Sequence, residues 1–303
     1  MRKELVSRQN SNRMKRMEAN DERQYMMDEN YEVYEKQGAP LGAATFHYHN
    51  FYEIIYVLEG EYSSLIENQT YHLHKGDFLL IDQNVMHKYH FEEKKHDSSK
   101  RILLWVTEQL LQQLSKNDMD LTACFKERGS CAYHFPVYYE EMLRGYLVRL
   151  AMAEGMEGEM KGAKKVLDRG YLTLFFVYLN NLCHRQEYWF RDENVVKHPM
   201  VGQVLSYVEE HITENITVDE LAELVHMSKY HFLRKFKELT GMTVHGFVTN
   251  KRLIKACELL KEGESITQVT QECGFTDYSS FLRNFKSTFG VAPGKYGSIY
   301  EEN

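Results

Sequence analysis

A ten-residue sequence motif that occurs twice near the end of the chain constrains its fold more than any other feature. Residues 232–241 read FLRKFKELTG and residues 281–290 read FLRNFKSTFG, with six identical positions at an offset of 49 residues. Two copies indicate a pair of helical units in tandem rather than a solenoid, which needs at least about three repeats. Each copy places an arginine beside phenylalanines at helical spacing. The repeat therefore predicts a protein that binds two neighbouring sites on a charged polymer, and DNA is the leading candidate for that polymer.

The first copy lies in a segment with signals for two short helices. Thr217 followed by Glu220 is the pattern of a capping box, in which each side chain satisfies a free amide of the other residue. The second helix is predicted to end at Gly241 in the left-handed conformation. Phe232 and Phe236, four residues apart, predict its buried face. Two helices joined by a short turn, the second basic on its outer side, are typical of a helix-turn-helix.

The second copy repeats these signals. Ser265 and Asp277 are the predicted N-caps of its two helices, and Phe281 and Phe285 predict the buried face of the second helix. Residues 243–263, between the two units, are long enough to form a rigid connecting helix. The end of the chain is therefore predicted to be helical throughout.

Composition narrows the class of protein. The net charge of −7 argues against indiscriminate coating of nucleic acid, but DNA binding depends on a local basic face rather than on the total charge. The five cysteines show no C-x-x-C spacing, so isolated reduced thiols are favoured over a zinc or redox site. The chain has no apolar run of the ~20 residues that a membrane helix needs, and its basic N-terminus is followed by no apolar stretch typical of a signal peptide. We therefore expect a cytoplasmic protein with no membrane partner.

Changes in sequence pattern along the chain predict its domains. Alternating apolar and polar residues with turns at Gly60 and Gly76 predict short strands, helical spacing follows, and the last hundred residues are helical and amphipathic. The predicted ranges are a polar arm at 1–29, an all-β domain at 30–105, a helical connector at 106–197 and a DNA-binding domain at 198–303.

An apolar stripe in the connector has two interpretations. Leu174, Phe175, Tyr178 and Leu182 share one face of a predicted helix. This stripe either mediates self-association into a homodimer or packs entirely inside the subunit.

The two helical units resemble the paired helix-turn-helix domain of the AraC/XylS family of bacterial transcription regulators. The resemblance covers roughly the last hundred residues. It is carried, among other positions, by Leu221, Ala222, Met227, Ser228, Gly241, Arg252, Leu253, Ser265, Ile266, Gly274, Phe275, Asp277, Pro293 and Tyr296. It implies that the second helix of each unit enters the major groove, that promoter DNA is the partner, and that RNA polymerase is contacted for activation.

From this resemblance, two sets of DNA-binding residues are predicted. Arginine can bond to guanine O6 and N7, and aromatic, aliphatic or hydroxyl side chains can contact thymine methyls or base edges. The predicted base-reading residues are Arg234, Arg283, Tyr230, Leu233, Tyr278, Ser279 and Ser280. The residues predicted to lie at phosphates, where they fix the register without reading sequence, are Ser228, Lys229, Lys235, Lys237, Asn284 and Lys286.

The strand-rich region resembles a cupin barrel. The pattern HxHxxxE places His47, His49 and Glu53 together, and His87 follows at a distance. This resemblance implies a pocket lined by these four residues, to which we add Tyr56. Imidazole and carboxylate groups suit a divalent metal such as Zn, Fe, Mn or Ni at the first four. We expect that no cofactor is required and that these residues line an organic effector pocket, with a bound metal as the alternative.

The fold class that follows is a multidomain α and β protein. It has an N-terminal cupin-like β-barrel, a helical connector and a C-terminal all-α paired helix-turn-helix domain. The predicted function is a ligand-responsive, DNA-binding transcription regulator rather than an enzyme, with a sugar or an organic acid as the small-molecule effector. Two alternatives are a constitutive or protein-controlled DNA binder with an empty barrel, and a metal-dependent cupin enzyme with an appended DNA-binding domain.

Overall fold

The computed structural model describes residues 16–17, 26–38, 45–89, 99–115, 118–153, 161–190 and 192–301. The chain divides into two compact units, residues 1–197 and 198–303. Most of the predicted arm at 1–29 lies outside the described residues. Among the helices that are described, none combines the length and the apolar character needed to cross a membrane.

The strands of the N-terminal unit form two sheets. They are β1 (Arg16–Met17), β2 (Tyr31–Gln37), β3 (Tyr52–Glu59), β4 (Glu61–Ile66), β5 (Gln69–His74), β6 (Asp77–Ile81), β7 (His87–Tyr89), β8 (Lys100–Val106), β9 (Cys131–His134) and β10 (Val195–Lys197). One sheet has the order β1-β2-β8-β3-β6-β9 and the other the order β10-β5-β4-β7. All pairs are antiparallel except β1 with β2. The cupin-like fold is confirmed, although the two sheets remain separate in the described residues.

Alternation along β3 divides the core into two layers. Successive side chains of a strand point to opposite faces of the sheet. Ile55 and Val57 therefore pack between the two sheets, in a core that also contains Tyr62 and Leu73 of the smaller sheet. The even-numbered residues of β3 face the other way, into a second core shared with helices.

Helices cover the outer face of the larger sheet. They are α1 (Glu108–Ser115), α2 (Ala123–Lys126), α3 (Val137–Ala153) and α4 (Lys161–Cys183). Fully buried residues such as Phe125, Leu147 and Phe176 pack against β3 and β8 in one cluster. The unit therefore has three layers, with the larger sheet in the middle.

The segment 106–197, predicted as a helical connector, differs from that prediction in two places. β9 pairs with β6 and β10 pairs with β5, so this segment adds an edge strand to each sheet. These strands have four and three residues, which is too short for an alternating pattern to be recognised in the sequence. The helices of the segment share their core with the larger sheet, so the segment is part of the N-terminal unit.

The apolar stripe on α4 is divided between core and surface. Phe175 and Leu182 are buried in the core against the sheet, whereas Leu174 is 43% and Tyr178 39% exposed. The four residues therefore form neither a wholly exposed nor a wholly internal stripe, because the boundary between the buried and the exposed side of the helix passes between them. Leu174 and Tyr178 remain on the surface.

The C-terminal unit is helical. Its helices are α5 (Pro199–Glu210), α6 (Val218–Leu224), α7 (Lys229–Thr240), α8 (Val244–Lys261), α9 (Ile266–Glu272), α10 (Tyr278–Phe289) and α11 (Pro293–Glu301). α6 with α7 and α9 with α10 form the two helix-turn-helix units, and α8 connects them. Phe281 and Phe285 of α10 pack with Leu253 and Leu260 of α8.

Local signals set the ends of these helices as the sequence predicted. Thr217 accepts a hydrogen bond from the Glu220 amide and its own amide donates to Glu220, which completes the capping box. Gly241 and Gly290 end α7 and α10 in the left-handed conformation, with φ of 79° and 72°. Ser228 is at the N-cap of α7, but its side chain makes no capping hydrogen bond.

Candidate DNA-reading surface and sensor site

The first recognition helix, α7, presents its predicted DNA-binding residues to solvent. Phe232 and Phe236 are fully buried, and they turn the opposite side of the helix outward. That side carries Tyr230, Leu233, Arg234, Lys235 and Lys237, all exposed. Tyr230 is 79% exposed, which leaves its ring available for a partner.

Residues at the N-terminus of α7 have partners within the unit. Lys229 Nζ lies 2.8 Å from Asp219 Oδ2 of α6 in an exposed ion pair. Such a pair contributes roughly 0–1 kcal/mol, so a phosphate can displace the carboxylate at little cost. Ser228 is exposed beside it.

The second recognition helix, α10, repeats the arrangement with one difference. Tyr278, Ser279, Arg283 and Lys286 are exposed. Ser280 and Asn284 are half-buried, and Asn284 Nδ2 donates to Ser280 Oγ at 3.4 Å. The Ser280 amide also donates to Asp277 Oδ1 at 2.6 Å, so Ser280 is held in the first turn of the helix. Arg234 and Arg283 occupy equivalent positions on the two helices, 49 residues apart.

The tight turn before each recognition helix takes a left-handed residue. In the second unit this residue is Gly274, with φ of 69°, and in the first it is His226, with φ of 53°. The left-handed conformation costs roughly 1–2 kcal/mol for a residue with a Cβ. The turn of the first unit therefore has a higher conformational free energy than that of the second, because His226 takes the place of a glycine.

Three of the predicted cupin residues converge inside the N-terminal unit. His49, Glu53 and His87 are buried, and one ligand atom from each lies within 4.8 Å of the others. Glu53 Oε2 is 3.3 Å from His49 Nε2 and 3.3 Å from His87 Nε2. The His87 contact is not aligned as a hydrogen bond, so its buried Nε2 has no hydrogen-bond partner.

Backbone carbonyls fix the tautomers of these histidines. His49 Nδ1 donates to Phe51 O and His87 Nδ1 donates to Val85 O, both at 2.9 Å, because a carbonyl oxygen can only accept. In the neutral rings both Nε2 atoms therefore carry lone pairs, and each lies 3.3 Å from Glu53 Oε2. Metal-binding histidines commonly have one ring nitrogen held by a carbonyl in this way.

His47 lies beside this group without joining it. Its ring centre is 4.2 Å from that of His87, and the two residues exchange backbone hydrogen bonds of 2.9 Å. Burial, followed by the charges of His87 and His49, lowers the pKa of His47 well below its usual value. Burial also lowers the pKa of His49, and this is opposed by the hydrogen bond that the protonated ring donates to Glu53.

Tyr56 is not part of this site. It is three positions along the strand from Glu53, so the two side chains point to opposite faces of β3. Tyr56 packs against Phe78 in the core that faces the helices, and its hydroxyl donates to Glu140 of α3. The prediction that Tyr56 lines the pocket is therefore wrong, because strand alternation places its side chain on the face of the sheet opposite to Glu53.

Two inward-facing residues of β8 were missed. Trp105 Nε1 donates to Glu53 Oε1 at 2.8 Å. Arg101 is buried on the same side of the strand, with its guanidinium 4.5 Å from the centre of the Tyr62 ring. Both are two positions from the buried Leu103 and share its side of the strand, and an arginine among these inward-facing positions is a signal that the sequence offers.

Comparison with known proteins agrees with this division of the chain. Residues 30–121 match the family model of the AraC-like ligand binding domain, and residues 221–298 match a helix-turn-helix domain model. The chain is 24% identical over 253 residues to the probable transcriptional regulator LumQ of Photobacterium leiognathi, covering 83% of this chain and 91% of LumQ. It is 26% identical over 255 residues to the transcriptional activator RhaS of Salmonella typhimurium strain LT2, covering 84% of this chain and 87% of RhaS.

Two crystal structures were also matched. ToxT from Vibrio cholerae O395 has a TM-score of 0.36 at 14% identity, covering 90% of this chain and 99% of ToxT. The DNA-binding domain of AdpA, in complex with a target DNA, has a TM-score of 0.33 at 28% identity, covering 34% of this chain and 94% of that domain.

A chain that joins a ligand-binding domain to two tandem helix-turn-helix units is a DNA-binding transcription regulator with a small-molecule sensor. It belongs to the AraC/XylS family. Its relatives are regulators rather than enzymes, so the interpretation as a cupin enzyme is wrong.

Proposed function

We propose that α7 and α10 read two successive major-groove segments on one face of a promoter. Arg234 and Arg283 bond to guanine O6 and N7, one in each segment, and each contributes about 1–3 kcal/mol of base discrimination. The observation that carries this proposal is the matched exposure of the two arginines, each on a helix whose phenylalanines are fully buried.

The neighbouring residues complete the two reading surfaces. Tyr230, Leu233, Tyr278 and Ser279 contact thymine methyls or base edges, and Ser280 acts from its half-buried position. The residues that hold phosphates are Ser228, Lys229, Lys235, Lys237, Asn284 and Lys286.

The sensor site is the space around His49, Glu53 and His87. These residues hold a divalent transition metal, because three acceptor atoms converge there and the Nε2 of buried His87 has no hydrogen-bond partner. The metal would supply a Lewis-acidic anchor for an oxygen-bearing effector such as a sugar or an organic acid. His47, beside His87, lines the same pocket. If no metal binds, the same four residues contact the effector directly.

The effector acts by shifting the arrangement of the DNA-binding units. That shift can be no larger than the difference in effector affinity between the two arrangements. In this proposal the regulator works in the cytoplasm and contacts RNA polymerase. We propose activation rather than repression because its relative RhaS is named a transcriptional activator.

The regulator acts as a homodimer through the exposed side of α4. Val166, Leu174 and Tyr178 are exposed apolar residues on this helix. Leu174 also lines a groove of about 410 Å³ with Leu114 of α1. In this proposal a second copy of α4 packs against the groove, where Gly170 has no side chain and open space around it.

An unbiased DNA selection with the full-length protein at fixed salt tests the DNA-reading proposal. Enrichment of two short boxes about 10 base pairs apart supports it. If the full-length protein enriches nothing, the selection is repeated with residues 198–303, which form a compact unit. Enrichment there indicates a sensor that inhibits binding, and no enrichment in either selection contradicts the proposal.

A further inference from the structure

Trp105 makes a direct hydrogen bond to the acidic residue of the sensor site. Its indole Nε1 donates to Glu53 Oε1 at 2.8 Å, and the two residues are paired directly opposite each other on β8 and β3. Both are buried, Trp105 at 4% and Glu53 at 6% exposure. One oxygen of the carboxylate is thus engaged by the indole, and only Oε2 faces the two histidines.

The indole is itself held in place by aromatic neighbours. The ring of Phe51 lies 5.0 Å from Trp105 and stacks on His49 at 3.9 Å. The ring of Tyr34 meets the edge of Trp105 at 5.6 Å. A rotation of the indole would therefore also disturb the packing of His49.

We infer that Trp105 is a positioning residue that orients the Glu53 carboxylate. Because the indole occupies Oε1, only Oε2 is available as a metal ligand. This inference rests on the proposed metal site. A carboxylate that is free to rotate can bind a cation through either oxygen or through both. The indole N–H removes that freedom, in the way that partners of metal-binding carboxylates orient them elsewhere.

The same contact makes Trp105 a reporter of occupancy. A paramagnetic ion bound at Glu53 quenches the fluorescence of an indole that is bonded to the same carboxylate. The chain has only one other tryptophan, Trp189, whose Nε1 donates to Cys183 O and whose ring lies under Arg128. Trp189→Phe thus leaves Trp105 as the single emitter.

The test is a Co²⁺ titration of full-length Trp189→Phe protein, followed by visible absorption and by tryptophan fluorescence. We expect Co²⁺ absorption bands and quenching to saturate together at one ion per chain. His87→Ala should lose both signals. His134→Ala is the matched control, because it removes a histidine paired with a different buried carboxylate, Asp77, and should change neither signal.

Trp105→Phe then tests positioning. The variant keeps Trp189, and a cooperative thermal melt shows that it is folded. It should bind Co²⁺ about 10–100-fold more weakly than the wild type, with altered absorption bands. Unchanged affinity and bands would overturn the inference, as would Co²⁺ binding without quenching of Trp105. The absence of Co²⁺ binding by the wild-type protein would instead contradict the metal site itself. DNA binding is measured on the same samples. Its result tests the DNA-reading proposal and has no bearing on the metal site or on Trp105.

Discussion

Gly274 and Ile212 approach each other so closely that no side chain fits between them. A Cβ on Gly274 would lie 2.4 Å from Ile212 O and 2.9 Å from Thr213 Cα. Arg252 of α8 donates to the same Ile212 carbonyl at 3.0 Å. The turn of the second helix-turn-helix is thus packed directly on the main chain that follows α5.

Gly274→Ala should destabilise the C-terminal unit strongly. The alanine would be strained at φ of 69° and would collide with backbone, which cannot move aside as a flexible side chain can. The two costs together are about 2–5 kcal/mol. Gly290→Ala is the control, since Gly290 has φ of 72° but open space around it, and it should cost only about 1–2 kcal/mol. If urea denaturation gave the same loss of unfolding free energy for both variants, the close contact of Gly274 with Ile212 would contribute nothing to the cost of the substitution.

Thr217→Ala should cost about 1 kcal/mol of unfolding free energy, because it removes the hydrogen bond that caps α6. Ser228→Ala should cost less, since the Ser228 side chain makes no capping bond. Thermal or chemical denaturation of the two variants measures this difference. A larger loss for Ser228→Ala would reverse the assignment of the two caps.

The buried thiols predict that stability falls at alkaline pH. Burial raises the pKa of Cys131 to about 11 and the pKa values of Cys257 and Cys273 to about 12. An unfolded thiol ionises near pH ~8.5, so above that pH the unfolded chain binds fewer protons than the folded one. The free energy of unfolding should then decline by up to about 1.4 kcal/mol per pH unit for each such thiol.

The contribution of one thiol is measured from denaturation curves between pH 8 and 11. In Cys257→Ala the free energy of unfolding should fall less steeply with rising pH than in the wild type, whatever the stability of the variant at pH 8. An identical slope in the two proteins would show that this thiol does not stay protonated in the folded state.

Leu174→Glu should convert the proposed dimer into a monomer, because it places a charge in the centre of the apolar side of α4. Val137→Glu is the control, since Val137 is also exposed but lies at the start of α3. Sedimentation equilibrium at micromolar concentration measures both. A monomeric wild-type protein, or a dimeric Leu174→Glu variant, would rule out this interface.

The features that the sequence predicted best depend on contacts between residues close in the chain. Thr217 and Glu220 are three residues apart, and Phe232 and Phe236 are four apart, so helix geometry alone brings them together. The same reasoning predicted the outward side of α7 and α10, and among the predicted DNA-binding residues only Ser280 and Asn284, which bond to each other, are half-buried.

The sensor site depends on contacts between distant strands, and there the sequence was less informative. The spacing of His49 and Glu53 is local, but Trp105 reaches Glu53 only through the register of β3 with β8. That register is set by how the apolar faces of two strands pair, which a single sequence does not reveal. Tyr56 could have been excluded in advance, since strand alternation alone separates it from Glu53.

The most direct test of the account is a DNA selection with Arg234→Ala and Arg283→Ala, compared with Lys237→Ala. Each arginine variant should lose base preference in one box and keep it in the other. Lys237→Ala should weaken binding to all sequences alike and reduce its salt dependence. If both arginine variants bind all sequences more weakly but keep the base preference of the wild type, the two helices do not read DNA through these arginines.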